Sequence, residues 1–265
     1  MFTNSYRPIP PHEDGIPPSP SASTSYGTSG LPPAYADSDI PDDFKYGTSV
    51  AAAAQDIRLA FVRKVYSILA CQLGLTMALG ALFMFNDGVK GWVQSNAWPM
   101  YTSLIATFVF LFALHWKRRS HPVNLYLLAA FTASEAYSIA VLVTFFDSIV
   151  VLQAVILTFA LFVGLTLFTL QTKYDFSSWG PFLFGCLWVL VISGFIQLFF
   201  PFGSAANFAI AVGTALLFCG FICFDTQMIL TRLSPEEYIV ASVELYLDIL
   251  NLFLAILRIL NARND

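Results

Sequence analysis

Apolar residues dominate the chain from Phe61 to Leu260, where they form successive runs of about 20 residues. Each run is long enough to cross a hydrocarbon core about 30 Å thick as an α-helix. The runs do not alternate apolar and polar positions, as the short strands of a membrane β-barrel do. The pattern therefore predicts an all-α, polytopic integral membrane protein in contact with the lipid bilayer.

Polar interruptions between the runs predict seven membrane-spanning helices. The first span begins in the amphipathic sequence VAAAAQDIRLAFVRKVYSIL and ends near Phe85. The other six are predicted at residues 98–115, 123–146, 149–170, 180–200, 206–230 and 237–260. A tight turn at Asp147, in the sequence FFDSI, separates the third span from the fourth. We assign residues 49–260 to a seven-helix bundle and residues 261–265 to a short tail.

The first 48 residues have a different composition, rich in Pro, Ser and Tyr, and contain nine of the 14 prolines. Such a segment cannot bury enough apolar surface to offset its ordering entropy, so we predict a disordered arm at residues 1–48. The arm has no apolar stretch typical of a signal peptide. We therefore expect the first span to direct membrane insertion and the N-terminus to stay cytosolic.

Within the arm, the sequence LPPAY places Pro32, Pro33 and Tyr35 in the Pro-Pro-x-Tyr pattern that WW domains bind in a polyproline II conformation. A four-residue match in a segment rich in Pro and Tyr also arises by chance, and the sequence leaves both interpretations open. If the motif is used, the expected partner is a ubiquitin ligase with WW domains, in a regulatory role.

Composition and charge narrow the classes of function. Only 11% of residues are charged, compared with about 25% in an ordinary soluble domain. The net charge is -4, with acidic residues concentrated in the first 56 positions, and this indicates no nucleic-acid partner. All four cysteines fall within predicted spans, where a disulfide framework or a zinc site is not expected.

Lysine and arginine near the span ends predict the orientation, because cytoplasmic loops hold the excess of these residues. With the N-terminus inside, Lys90 is the only basic residue in the outer loops. Eight lie on the inner side: Arg58, Arg63, Lys64, Lys117, Arg118, Arg119, Lys173 and Arg232. The C-terminus stays open, since a full last span places Arg258 and Arg263 outside and a re-entrant segment keeps them inside.

The last predicted span has one polar edge. At about 100° per residue, six positions, most of them polar, fall within an arc of about 80°, and mainly apolar residues cover the rest. The arc contains Glu237, Glu244, Asp248, Asn251, Ala255 and Arg258. We therefore place this helix at the centre of the bundle, with its polar edge toward water, a cation or a partner side chain.

Acidic residues inside a bilayer cost about 2.5–3.5 kcal/mol each on insertion scales and normally face the bundle interior. Asp225 lies about 7 Å above the inner end of the sixth span and Asp248 about 15 Å above that of the seventh, so the two carboxylates are within reach of each other. Together they either share a proton or bind a cation. Alternatively, each one only caps or hydrogen-bonds a neighbouring helix.

Calcium suits two such carboxylates but prefers about 6–8 oxygen ligands. Backbone carbonyls, water, Glu244 or Asn251 would have to complete the shell around transiently bound calcium at Asp225 and Asp248. Glu135, midway along the third span, is either part of the same polar pathway or a hydrogen-bonded structural acid. The sequence does not distinguish these roles.

Five stretches closely resemble the Bax inhibitor family, specifically its Lifeguard branch. They are RLAFVRKVYSILACQLGLT at 58–76, HPVN at 121–124, VLQAVILTFALFVGLTLFTLQTKYDFS at 151–177, FCGFICFDTQMIL at 218–230 and SPEEYIVASVELYLDILNLFLAILRIL at 234–260. The resemblance implies a seven-helix protein of an endomembrane (endoplasmic reticulum, Golgi or vacuole) that suppresses cell death and lowers stored calcium through a pH-sensitive leak. It also implies that Asp225 and Asp248 form a pair that responds to protons and gates calcium.

Three functions are compatible with the sequence. The leading hypothesis is a calcium-leak channel or channel-like transporter, in which Asp225 and Asp248 hold each other or a nearby arginine such as Arg232 or Arg258 when closed. A non-conducting scaffold that binds cell-death regulators is the alternative. An intramembrane aspartyl protease ranks below both, because no glycine precedes Asp248 and no Pro-Ala-Leu follows it. We expect no enzymatic activity and no cofactor apart from calcium as the transported or sensed ion.

Overall fold

The computed structural model describes residues 55–118 and 120–264. Within these residues the chain forms eight α-helices, one short 3-10 helix and no strands. In chain order they are α1 (Gln55–Phe85), α2 (Asp87–Ser95), α3 (Trp98–Trp116), α4 (Val123–Val143), α5 (Ser148–Gln171), the 3-10 helix (Phe176–Trp179), α6 (Gly180–Phe199), α7 (Ser204–Thr231) and α8 (Tyr238–Asn264). The predicted disordered arm and its LPPAY motif lie outside the described residues.

Seven of these helices, all except α2, are long and apolar enough to cross a membrane. This confirms the predicted all-α, seven-helix integral membrane protein. The predicted third span ran to residue 146, whereas α4 ends at Val143. After Val143 the backbone bonds shift to a turn, in which Phe145 N donates to Leu142 O and Phe146 N donates to Val143 O. Asp147 then accepts from Ile149 N to begin α5.

The short helix α2, which joins α1 to α3, was not predicted. Asn86 caps it by accepting from Val89 N at 3.0 Å, and Gln94 donates to Thr144 O at 2.8 Å. Val93 is its buried residue and joins a small apolar cluster with Phe83. The spans were predicted from apolar runs of about 20 residues, and a helix of nine residues is too short to give such a run.

Helix α8 is the centre of the bundle, as the sequence predicted. In its most apolar 18-residue segment, 72% of the residues are buried, compared with 6% in the corresponding segment that contains α6. It contacts α1, α4, α5 and α7. Because α8 is apolar over most of its circumference, it can be surrounded by other helices on nearly all sides.

Buried polar side chains link the helices. Gln72 of α1 donates to Thr132 of α4 at 3.1 Å, and the hydroxyls of Ser103 and Ser138 join α3 to α4 at 2.7 Å. Such bonds contribute about 0.6 kcal/mol each on average in membrane proteins. They fix the rotation of each helix about its axis, which apolar packing against neighbours leaves less well defined.

One end of the bundle is basic. Lys64 Nζ lies 3.4 Å from the centroid of the Tyr238 ring, Arg118 pairs with Glu237 at 3.6 Å, and Arg232 donates to Ser177 at 2.6 Å. We call this the basic end, defined by Lys64, Arg118 and Arg232. From there α8 runs unbroken through 27 residues, about 40 Å, to the opposite, or far, end. An unbroken helix of this length favours a full span over a re-entrant segment.

Candidate functional site

The two central acids lie on consecutive helices that run in opposite directions. Asp225 is six residues before the end of α7, about 9 Å along the axis, and Asp248 is ten residues after the start of α8, about 15 Å. A short connection at residues 232–237 joins the helices at the basic end. This hairpin brings the two side chains to similar depth.

The structure brings Asp225 and Asp248 together, with their carboxyl groups close enough to interact directly. Asp248 is only 6% exposed, and its Oδ2 accepts no hydrogen bond from an N–H or O–H of the described residues. Because a carboxylate has no proton to donate, two facing carboxyl groups hydrogen-bond only when one is protonated. Two negative charges in direct contact in a low-dielectric interior are costly. The two carboxyl groups can therefore share one proton or attract one cation.

Neither arginine proposed from the sequence lies against this pair. Arg232 donates to Ser177 Oγ and lies near Asp175. Arg258 is ten residues beyond Asp248 along α8, about 15 Å away, and borders a cleft with Gln197. In the described part of the chain, the pair is therefore not neutralised by either arginine.

Glu244 lies one helical turn before Asp248, toward the basic end. Its side chain is exposed, whereas that of Asp248 is buried. It is within electrostatic range of Asp225, Glu237 and Arg118. The carboxyl groups of Glu237, Glu244 and the central pair thus form a row that leads from the basic end into the bundle.

Glu135 and Asn251, the other predicted pathway residues, are arranged differently. Glu135 of α4 is half-buried and lies near Thr107 of α3 and Tyr246 of α8, not beside the aspartate pair. Asn251 donates its amide to Leu247 O at 2.8 Å, within its own helix. The structure therefore groups Glu244 with the pair and separates Glu135 from it.

The described residues contain no group of three or more His, Cys, Asp or Glu side chains suited to hold a metal ion. Two carboxyl groups offer at most four oxygens, fewer than the 6–8 that calcium prefers. A tightly bound resident calcium does not fit this donor set. A passing ion that keeps several waters does fit, and transient calcium binding at Asp225 and Asp248 stays a prediction.

The part of the chain that forms the helices is similar to known proteins. A family profile described as "Inhibitor of apoptosis-promoting Bax1" matches residues 58–265. The chain belongs to the Bax inhibitor family. Protein lifeguard 4 of Mus musculus is 47% identical over 232 residues, 88% of this chain and 97% of that protein.

Two further relatives are similar to this Bax inhibitor protein over most of its length. Golgi anti-apoptotic protein of vaccinia virus (strain Lister) is 46% identical over 234 residues, 88% of this chain and 98% of that protein. Bax inhibitor 1 of Schizosaccharomyces pombe is 40% identical over 258 residues, 96% of this chain and 95% of that protein. The resemblance to the Bax inhibitor family and its Lifeguard branch is thereby confirmed.

A second set of polar contacts in this Bax inhibitor protein was not predicted from the sequence. Gln227, two residues after Asp225, accepts from Phe176 N at 2.5 Å and donates to Asp175 Oδ1 at 3.1 Å. The pKa of the Asp175 carboxyl lies below its usual value because Ser177 donates hydrogen bonds to it. The bond from the Ser177 side chain has the larger effect, and the bond from its backbone N–H the smaller. We call these contacts the Gln227 latch, because they tie the α5–α6 connection to the part of α7 that bears Asp225.

The signal for the latch was present in the sequence. Gln227 is a polar side chain within an apolar helix, and Asp175 precedes two serines in a short polar segment. Such residues indicate that a partner exists. They do not identify it, because the two positions are 52 residues apart and nothing local relates them.

Proposed function

We propose that this protein suppresses cell death from an endomembrane, by a calcium leak that depends on the protonation of Asp225 and Asp248. The names of two relatives, a Golgi anti-apoptotic protein and a Bax inhibitor, support the cell-death role and the endomembrane location. The observation that supports the leak is the pair of acids inside the bundle, with Asp248 buried and Asp225 half-buried, which neither Arg232 nor Arg258 neutralises.

In the closed state, one shared proton joins the two carboxyl groups and holds α7 against α8. A change in the protonation of the pair, or the approach of calcium, alters this contact, and the two helices separate locally. The proton exchanges with water along the row formed by Glu244 and Glu237, which reaches the basic end. Calcium follows the same carboxylate oxygens and keeps part of its hydration shell.

Reconstitution of the purified full chain in liposomes tests this proposal. Calcium flux is measured across a series of pH values for the wild type, Asp225→Asn and Asp248→Asn. Glu236→Gln is the matched control, since this acid lies in the α7–α8 connection outside the pair. We expect both aspartate variants to lose the pH dependence of flux and the control to keep it. Unchanged flux and pH response in both aspartate variants would exclude the mechanism.

A non-conducting scaffold is the second candidate, because the names of the matching family profile and of the vaccinia relative refer to apoptosis and not to ion transport. Cell-death regulators, or a WW-domain ubiquitin ligase at LPPAY, would then be the working partners. Deletion of residues 1–48 distinguishes the two functions. If the deletion abolishes suppression of cell death while calcium flux is unchanged, the protein acts as a scaffold. We also propose that the protein is not a protease, and the purified chain should cleave no membrane substrate.

A further inference from the structure

A cleft of about 500 Å³ opens between α6, α7 and α8 at the far end of the bundle. Four of its lining residues are polar: Gln197, Ser204, Asn207 and Arg258. Phe208 and Ile210 contribute an apolar part of the wall. The cleft thus offers both hydrogen-bond donors and apolar surface.

Arg258 is the charged residue of this lining, and no carboxylate is among the described residues around the cleft. Its side chain is exposed and makes no ion pair or hydrogen bond with the described part of the chain. Asn207, in contrast, is held in place by its bonds to Gln197 and to Phe202 O. The site therefore combines a permanent positive charge with positioned amide groups, and its planar guanidinium matches the oxygens of a phosphate.

The depth of Arg258 suggests where such a phosphate comes from. Arg258 follows Tyr238 by 20 residues, which is about 30 Å along α8 and equals the thickness of the hydrocarbon core. Tyr238 contacts Lys64 at the basic end. The guanidinium therefore lies at the level of the opposite membrane interface, where lipid headgroups present their phosphates.

We propose that this cleft binds a phosphate group through Arg258. A phospholipid headgroup is the source that the depth and the apolar wall favour, with its chains against Phe208 and Ile210, and a free phosphate ion is the other source of the same chemistry. The proposal is independent of the calcium leak, because the cleft and the aspartate pair lie about 15 Å apart along α8.

Arg263 provides a matched control on the same helix. It lies five residues further along, about 140° around the axis. It borders a separate cleft of about 320 Å³ whose lining is mostly apolar, with Ile156, Leu157 and Leu260. Replacement of Arg263 removes the same charge at the same end of α8 and leaves the proposed site intact.

The test uses the full chain purified in a maltoside detergent without phosphate. Native mass spectrometry measures the binding of phosphatidic acid and of diacylglycerol with the same chains, which lacks only the phosphate. We expect the wild type and Arg263→Gln to retain phosphatidic acid and not diacylglycerol. We expect affinity about tenfold weaker in Arg258→Gln, as the loss of a charge-assisted hydrogen bond implies, and partly restored in Arg258→Lys.

A second arm identifies the source of the phosphate. Inorganic phosphate is titrated against the thermal unfolding midpoint of the lipid-free protein. A rise that needs Arg258, without retention of phosphatidic acid, assigns the site to a free anion. Equal retention of phosphatidic acid by the wild type and Arg258→Gln, equal binding of diacylglycerol, or no response in either arm would overturn the proposal. If Arg258→Lys recovers binding of phosphatidic acid, the weaker binding of Arg258→Gln is due to the lost charge and not to misfolding.

Discussion

Tyr246 of α8 and Thr76 of α1 lie hydroxyl to hydroxyl, 2.7 Å apart, in the buried interior of the bundle. Thr76 donates its own proton to Gln72 O at 2.9 Å, so the phenol is the donor between the two side chains. The Tyr246 ring is fully buried and meets Phe131 of α4 edge to face, with centroids 6.1 Å apart. One side chain thus links α8 to α1 and α4, two residues before Asp248.

Substitution of Tyr246 should separate its hydrogen bond from its packing. Tyr246→Phe loses the bond but leaves Thr76 bonded to Gln72, so the free energy of unfolding should fall by about 1 kcal/mol. Tyr246→Ala also creates a cavity and should cost about 3–5 kcal/mol. Denaturant unfolding in mixed micelles measures both, with the exposed Tyr101→Phe as the control. Equal losses for the Phe and Ala variants would contradict this assignment.

The Gln227 latch should protect the α5–α6 connection from proteolysis. Gln227→Ala removes the acceptor for Phe176 N and the donor to Asp175. Two lost hydrogen bonds should make local opening about tenfold more frequent, and trypsin should cleave after Lys173 faster by that factor. Gln171→Ala, at the exposed end of α5, is the matched control. Equal cleavage rates in the two variants would show that the latch does not hold the connection.

The latch should also weaken in acid. The pKa of Asp175 in the folded protein lies below its usual value of 3.8, chiefly because Ser177 donates hydrogen bonds to it. A lowered folded pKa stabilises the protein fully above pH 3.8, and this contribution is lost as the pH falls from there toward the folded value. The difference in unfolding midpoint between the wild type and Asp175→Asn should be constant from pH 7 to about pH 5. It should shrink below about pH 4, and growth of the difference in acid would contradict the prediction.

A close contact between α6 and α7 depends on Gly220. A Cβ at this position of α7 would lie 2.9 Å from Leu183 Cδ2, and Leu183 is a buried residue of α6. Gly220→Ala should therefore lower the free energy of unfolding by about 1–2 kcal/mol through overpacking. Gly213→Ala, in the same helix with no atom within 4 Å of its Cβ, should gain up to about 1 kcal/mol from helix propensity. Equal stability of the two variants would show that Leu183 moves aside without cost.

The spans were predictable because their signal is local. A run of about 20 apolar residues must form a helix in the bilayer, since its backbone groups have no other partners there. The ends of α3 and α5 fall within one residue of prediction for the same reason. The helix α2 was missed because it lacks this length. The predicted third span overran α4 because the turn after Val143 contains Phe145 and Phe146, whose hydrophobicity does not show where the helix ends.

The candidate site was only partly predictable. The polar edge of α8 follows from helical periodicity, and the similar depth of Asp225 and Asp248 follows from the short connection between their helices. The sequence offered Arg232 and Arg258 as partners of the pair, whereas the structure places Arg232 at Ser177 and Arg258 in a separate cleft. It also places Glu135 near Tyr246 and not in the row of acids.

The sequence by itself determined the fold class, the number of spans, the central position of α8 and which helices bear the acids. Length, periodicity and the cost of charge in a bilayer are properties of each segment alone. Only the tertiary structure decided which polar groups meet, as in Tyr246 with Thr76 and Gln227 with Asp175. Lipid chains are as apolar as leucine, so hydrophobicity does not set how each helix rotates against its neighbours, and packing and interhelical hydrogen bonds select those partners.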